Sequence, residues 1–325
     1  MKALSLAVLV ALPAVAQVEQ ATFTEVPLAG PCAGPDAELS GLAWLGDDLV
    51  LVTQYPHRFE SSFCAISRAQ LDALKLDGTD APVTPRLLHV DVGPWLGQRE
   101  GFEAMTTLGR NVFLTFEAED GEGGKRSAFL LRGELGDGGL VFDPAFKVEL
   151  PAQAQFNGRD LPNVSYEALT ARDGQVFAFY EWNGSINPHP HALSWSPDAG
   201  LREVPLQPLE YRVTDATLPD EQGRFWVIDY LFTRDAKYVS DAGQERLEQL
   251  VELQFSKKKG GGIERTASKP IRWPLLDAGV DADEKALTRA QRNWEGVVRY
   301  RDGFLLATDR YPVTTVGYVR RATKR

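Results

Sequence analysis

Hydrophobic and polar positions along this chain repeat one phrase. In Trp294–Asp309 an acidic residue, Glu295, opens a short strand-like segment. A polar turn containing Gly303 follows, then the apolar run Phe304–Ala307, then a second acid, Asp309. The phrase recurs with Glu103, Val112–Phe116 and Glu117, with Glu167, Val176–Tyr180 and Glu181, and with Asp215, Phe225–Ile228 and Asp229. A degenerate first copy has Ser40, Leu49–Thr53 and Gln54. The two marked positions lie 14 residues apart in every copy, and each turn holds a glycine (Gly46, Gly109, Gly174, Gly223, Gly303).

Runs of four to eight apolar and β-branched residues between such turns predict strands. Repeat one gives Gly41–Trp44, Leu49–Thr53, Phe63–Ser67 and Arg86–Val90. Repeat two gives Glu103–Thr107, Val112–Glu117, Ala128–Glu134 and Leu140–Leu150. Repeat three gives Glu167–Thr170, Val176–Glu181, Ala192–Ser196 and Leu201–Leu206. Repeat four gives Asp215–Leu218, Phe225–Asp229, Leu247–Phe255 and Ile263–Trp273. Repeat five gives only Glu295–Arg299, Phe304–Asp309 and Val316–Arg321.

The lone segment Ala21–Pro27 supplies the strand that repeat five lacks. The expectation is an all-β β-propeller of five four-stranded blades, closed by the N-terminal strand, as such rings protect their edges. Uneven spacing between the marked acids leaves room for a sixth, irregular blade. Residues 17–325 read as one domain, because each unit needs neighbours to bury its faces. Thr233–Arg246 and Asp277–Arg292 are long for turns. The second places acids early and bases late, the favourable charge order for a helix.

Composition changes this picture only at the ends of the argument. At 325 residues, with 43% hydrophobic and 25% charged residues, the chain is ordinary for a globular protein. Met1–Ala16 differs: Lys2, an apolar stretch and Ala14-Val15-Ala16 read as a secretory signal peptide, implying an exported, periplasmic or secreted, soluble monomer. The net charge of −10 becomes one unit more negative without Lys2. Such acidity argues against nucleic acid and anionic membranes as partners. Cys32 and Cys64 flank the first repeat, and in an exported chain they are expected to form a disulfide.

Equivalent positions on successive blades lie at one depth around the axis, so Glu103, Glu167, Asp215 and Glu295 should converge. Crowded carboxylates must raise their pKa values, bond to backbone, or share a cation. Ca²⁺, with its many hard oxygen ligands and loose geometry, suits such a ring. Asn163, Asn293, Ser40 and Thr214 are neutral oxygens that could complete it, and Glu38 and Glu100 stand just upstream. The competing reading makes each acid a staple that accepts backbone N–H groups. For Glu117, Glu181, Asp229 and Asp309, a turn or inter-blade hydrogen bond is the favoured role.

No G-x-S-x-G elbow occurs, so serine-hydrolase chemistry has no support. His57, beside Arg58, is a candidate general base or anion-binding residue at the acidic end. His189 and His191, between prolines, lack further ligands for zinc. Lys257–Gly262 reads as a hairpin tip. Asn163 and Asn183 begin glycosylation sequons.

Glu38-Leu-Ser-Gly-Leu-Ala-Trp44, Glu100-Gly-Phe-Glu-Ala-Met105, Val164-Ser-Tyr-Glu-Ala-Leu169, Val213-Thr-Asp-Ala-Thr217 and Asn293-Trp-Glu-Gly-Val297 with its trailing Asp309 resemble, in that order, the phytase-like "esterase-like activity of phytase" propeller family. The resemblance implies an exported propeller with metal-dependent hydrolysis of an ester or phosphoester. Phytate itself would need many more bases than Arg58, Arg99, Arg234, Arg292 and Arg310. The resulting expectation is a Ca²⁺-dependent hydrolase of a small ester or phosphoester. Glu103, Glu167, Asp215 and Glu295 would be its metal ligands, and Glu100, His57 and Arg310 its catalytic groups. The alternative is a non-catalytic propeller that binds a ligand or cell-envelope partner.

Overall fold

Second strands of the repeats are apolar on both faces because both faces are covered. In Asp48–Thr53 and Gln175–Tyr180 every residue after the first is buried, and Gly303–Thr308 is buried throughout. The outermost strands, such as Arg86–Asp91 and Gly200–Pro205, alternate or stay largely exposed, as one-sided strands do. The computed structural model describes residues 19–34, 37–91, 101–119, 126–153, 155–156, 159–160, 165–184, 187–231, 248–257, 261–273, 293–309 and 314–321. The signal-peptide reading, the two helical expectations, Asn163, Glu100 and Arg310 lie outside these residues.

The chain is all-β and propeller-like. Antiparallel sheets follow the repeats in order, each beginning with an inner strand: Leu39–Leu45, Gly101–Leu108, Tyr166–Arg172, Arg212–Ala216 and Trp294–Tyr300. Successive inner strands touch, and Trp294–Tyr300 touches Leu39–Leu45. Apolar clusters fill the spaces between neighbouring sheets. Leu88, Phe102, Phe116 and Phe142 pack between repeats one and two, and Phe113, Tyr166, Leu169 and Leu193 between two and three. Phe179, Phe225 and Leu253 lie between three and four, and Trp226, Trp294 and Phe304 between four and five. Leu42, Leu51, Tyr300 and Leu305 lie between five and one.

Thr22–Val26 pairs antiparallel with Val316–Arg320 at the outside of the last sheet, completing its four strands. Just before it, Glu19–Gln20 pairs in parallel with Ile271–Arg272 of the fourth sheet, and Leu28 forms an isolated parallel bridge with Val83, shortly before the outer strand of repeat one. The N-terminal segment therefore crosses the seam between the last and first repeats.

Cys32 and Cys64 are bonded, with Cα atoms 6.2 Å apart, and both are buried in the cluster between repeats five and one. Repeats one and two share more than packing. Leu140 and Val141 pair in parallel with Val90 and Asp91, joining them in one eight-stranded sheet. The turn glycines are not all alike. Asp173 and Gly174 both have positive φ, 49° and 77°, at a tight hairpin turn. In the last repeat the positive φ falls on Arg301 instead. A Cβ on Gly303 would lie 2.1 Å from the Val319 carbonyl oxygen, so close backbone approach accounts for that glycine.

Candidate active site in the axial mouth

One local irregularity recurs in all five inner strands. Pairing with the second strand shifts register between Leu39 and Gly41, Phe102 and Ala104, Tyr166 and Ala168, Val213 and Ala216, and Trp294 and Gly296. The residues left in these bulges are Ser40, Glu103, Glu167, Thr214 with Asp215, and Glu295. A bulge bends the strand and re-aims the extra side chain. The marked acids of the sequence are thus the bulge residues of the fold.

The ends of the second strands stitch one sheet to the next. Phe102 donates its N–H to the Gln54 carbonyl at 3.0 Å, and Val213 donates to that of Glu181 at 2.8 Å. The side chains of these same residues meet the acids: Gln54 Nε2 donates to Glu103 Oε1 at 3.2 Å, and Arg212 pairs with Glu181. Hydroxyls add further links. Ser40 Oγ donates to the Phe102 carbonyl at 2.6 Å, Thr170 Oγ1 to that of Thr217 at 2.9 Å, and Thr214 to that of Trp294.

Glu103, Glu167 and Glu295, from repeats two, three and five, lie close enough for their charges to act on one another, with Asp309 and Glu117 in the same reach. Burial raises the Glu103 pKa well above the carboxylate range, and the charges of Glu117, Glu167 and Asp309 push it further, against the Gln54 bond. Burial likewise raises Glu295, reinforced by Asp309, Glu167 and Glu103 and opposed by Arg212. Asn293 donates to both Glu295 and Asp309, and accepts the Tyr230 hydroxyl proton. Arg212 lies 5.2 Å from the ring centre of Trp182.

Asp215 belongs to a different arrangement. Its Oδ2 accepts the N–H groups of Val297 at 2.7 Å and Leu42 at 3.2 Å, and its Oδ1 accepts that of Ala216 at 2.8 Å. It is a staple joining repeats four, five and one. Burial pushes its pKa up, and the three N–H donors pull it back toward the charged form. Asp229 is also a staple, accepting Tyr211 N–H at 2.9 Å and Gln249 Nε2 at 2.8 Å.

Of the remaining candidates, His57 is exposed on the 3₁₀ turn Pro56–Phe59, its ring edge-on to Tyr55. Arg58 binds Glu38 at 2.8 Å and lies over the Tyr55 ring. Among the described residues, no group of three or more His, Cys, Asp and Glu side chains is set to hold a metal ion. Sequence reasoning missed Arg212, the cation that faces Glu181 and Glu295. Its only signal was an arginine three positions before a marked acid.

A buried carboxyl that holds its proton at neutral pH can act as a general acid, while a neighbouring ionised carboxylate acts as base or nucleophile. Glu103 and Glu295, whose pKa values burial raises, lie within reach of the charges of Glu167 and Asp309.

No family model and no curated protein matches the chain. Among solved structures, it is similar to a variant of exo-β-1,3-galactanase from Phanerochaete chrysosporium with β-1,3-galactotriose. The TM-score is 0.50 at 8% identity, over 92% of this chain and 66% of that one. It is also similar to β-1,2-mannobiose phosphorylase from Listeria innocua (TM-score 0.46, 15% identity, 92% and 94% of the two chains). A GH43_1 enzyme from Xanthomonas citri gives a TM-score of 0.46 at 10% identity, over 90% and 91%. These identities speak to fold alone. The family expectation is corrected: no family model supports the phytase-like resemblance, the similar fold is that of the galactanase structure, and the short ordered motifs reflect the recurring bulges. The ester and phosphoester substrates implied by that resemblance fall with it.

Proposed function

We propose that the protein is an exported hydrolase of a glycoside, working as a monomer with its reaction in the axial mouth. One observation carries this reading: Glu103, Glu167, Glu295 and Asp309 come from three sheets to within reach of one another's charge, and burial raises the pKa of Glu103 and Glu295 above the usual carboxylate range. Hydrolysis of a glycosidic bond needs such a mixed set, one carboxylic acid to protonate the leaving oxygen and one carboxylate to activate water or attack the anomeric carbon. In this reading Glu295 is the acid and Glu167 the carboxylate. Arg212 opposes the rise in the Glu295 pKa that its acidic neighbours cause. The fold reading that goes with it is a ring of five four-stranded blades closed by Thr22–Val26. The apolar clusters between successive sheets, including that between repeats five and one, support it.

Ca²⁺, expected from the sequence, would be held by Glu103, Glu167 and Glu295, since Asp215 spends its oxygens on three backbone amides; none of these acid–base steps is routed through it.

The test is hydrolysis of nitrophenyl glycosides and β-linked oligosaccharides, β-1,3-galactotriose included, by the mature chain and by Glu295→Gln. Turnover that falls by about 10²–10⁴ in the variant supports the reading. No turnover of any glycoside by the mature chain, or an unchanged rate in the variant, overturns it and leaves a binding module.

A further inference from the structure

The carboxyl pair Glu295 and Asp309 is held by a single side chain, Asn293. One amide proton goes to Glu295 Oε1, and the same nitrogen donates to Asp309 Oδ2 at 3.3 Å. The amide oxygen accepts the hydroxyl proton of Tyr230, a buried residue of the neighbouring sheet. Backbone geometry locks this arrangement, because Asp309 donates its own N–H to the Asn293 carbonyl at 2.8 Å. Asn293 immediately precedes the inner strand Trp294–Tyr300, and Asp309 immediately follows the second strand Gly303–Thr308. The amide therefore bridges the two strand ends that carry the pair.

An amide has one acceptor and two protons, so its two faces are not interchangeable. Turned the other way, its oxygen would face two carboxyl groups and its protons a hydroxyl. The two carboxyl groups, rich in acceptors, favour the orientation in which the amide protons face them, and the Tyr230 hydroxyl then donates to the amide oxygen. Glu103, Glu167 and Arg212 also act electrostatically on Glu295.

We propose that Asn293, its amide oxygen bonded to Tyr230, is the positioning residue of the site, setting the separation of the Glu295 and Asp309 carboxyl groups and their orientation toward the substrate. This rests on the glycoside-hydrolase reading. Preorganisation of this kind acts on the rate step rather than on ground-state binding.

The experiment combines kinetics with a signature that needs no turnover. In Asn293→Leu, kcat falls about 10²-fold with KM within about 3-fold of wild type, and in Tyr230→Phe it falls by about tenfold. Independently, the Asn293 side-chain amide of asparagine-¹⁵N-labelled protein, assigned by its loss in Asn293→Leu, shows two downfield protons that exchange slowly with solvent. Tyr230→Phe moves both toward the free-amide position. Should Asn293→Leu not fold, Tyr230→Phe carries both measurements, with assignment by selective labelling. An Asn293 amide that exchanges like an exposed one overturns the proposal, as does unchanged kcat in Tyr230→Phe of an active enzyme. If wild type cleaves no glycoside, the functional reading fails, and the amide spectrum still decides whether Asn293 holds the pair.

Discussion

Asp215 accepts the backbone N–H of Val297 through Oδ2 at 2.7 Å, and through the same oxygen that of Leu42 at 3.2 Å. One carboxylate thus ties its own inner strand to those of repeats five and one. Asn can offer only one oxygen to three amides, so Asp215→Asn should destabilise the chain by about 2–4 kcal/mol. Urea unfolding of the variant checks this. A loss below about 0.5 kcal/mol would show that the three bonds are not a staple.

Glu295 works in the opposite sense. Its burial and its acidic neighbours disfavour the charged form. Glu295→Gln should therefore raise the melting temperature at pH 8 while removing activity, the exchange expected when a functional group is held against its own preference. Melting and turnover measured on one preparation test both halves.

Asp229 gives a pH dependence of definite sign. Burial, helped by Glu210, raises its pKa from 3.8 to about 7. The folded state then binds a proton that the unfolded chain has released between these values. Stability from this group is fully present below about pH 4 and is lost as pH rises toward about 7. Urea midpoints of wild type and Asp229→Asn, compared at pH 4, 5.5, 7 and 8, should diverge across that window. Parallel curves would place the Asp229 titration elsewhere.

The Cys32–Cys64 bond spans 32 residues and lies in the core between repeats five and one. Replacing both cysteines by alanine should cost about 3–4 kcal/mol on the loop-entropy argument. Equilibrium unfolding in oxidising and reducing buffer gives the same comparison without mutation.

Calcium can be tested without any assumption about catalysis. Because Glu167 lies among the acids while Asp215 is bonded to backbone, an ion bound at the mouth should raise the melting temperature of wild type and not that of Glu167→Gln. An equal rise in both removes Glu167 from any ion site, and no rise in wild type removes calcium.

The repeats could be read from the sequence because one physical device, the bulge, keeps the 14-residue offset in every copy. Bulge residues are polar positions set among apolar ones in the inner strands, so their chemistry stands out in the pattern. Pairing between units was hidden. Nothing in Val90 or Leu140 announces a parallel contact, since strand edges look alike whether or not another strand covers them. Ile263–Trp273 reads as one strand but is two, Ile263–Arg265 and Ile271–Arg272. Pro270 precedes the second, and its carbonyl receives the Glu19 N–H. The short helix Arg68–Asp72 went unread, although Ser67 and Gln70 form its capping box. Asp215 shows a deeper limit. An acid at the repeat position is legible, but whether its oxygens meet a cation or three amides depends on neighbouring backbone.

The strap made by Glu19–Gln20 and Thr22–Val26 has a kinetic consequence. Its partners, Ile271–Arg272 and Val316–Arg320, are made near the end of synthesis, so the first-made described strand must wait, unpaired, for nearly the whole chain. Bringing ends so distant together carries the largest loop-closure entropy in the molecule, which puts this pairing late in assembly. The same seam is then the natural place for the molecule to open, and the disulfide beside it acts as a latch.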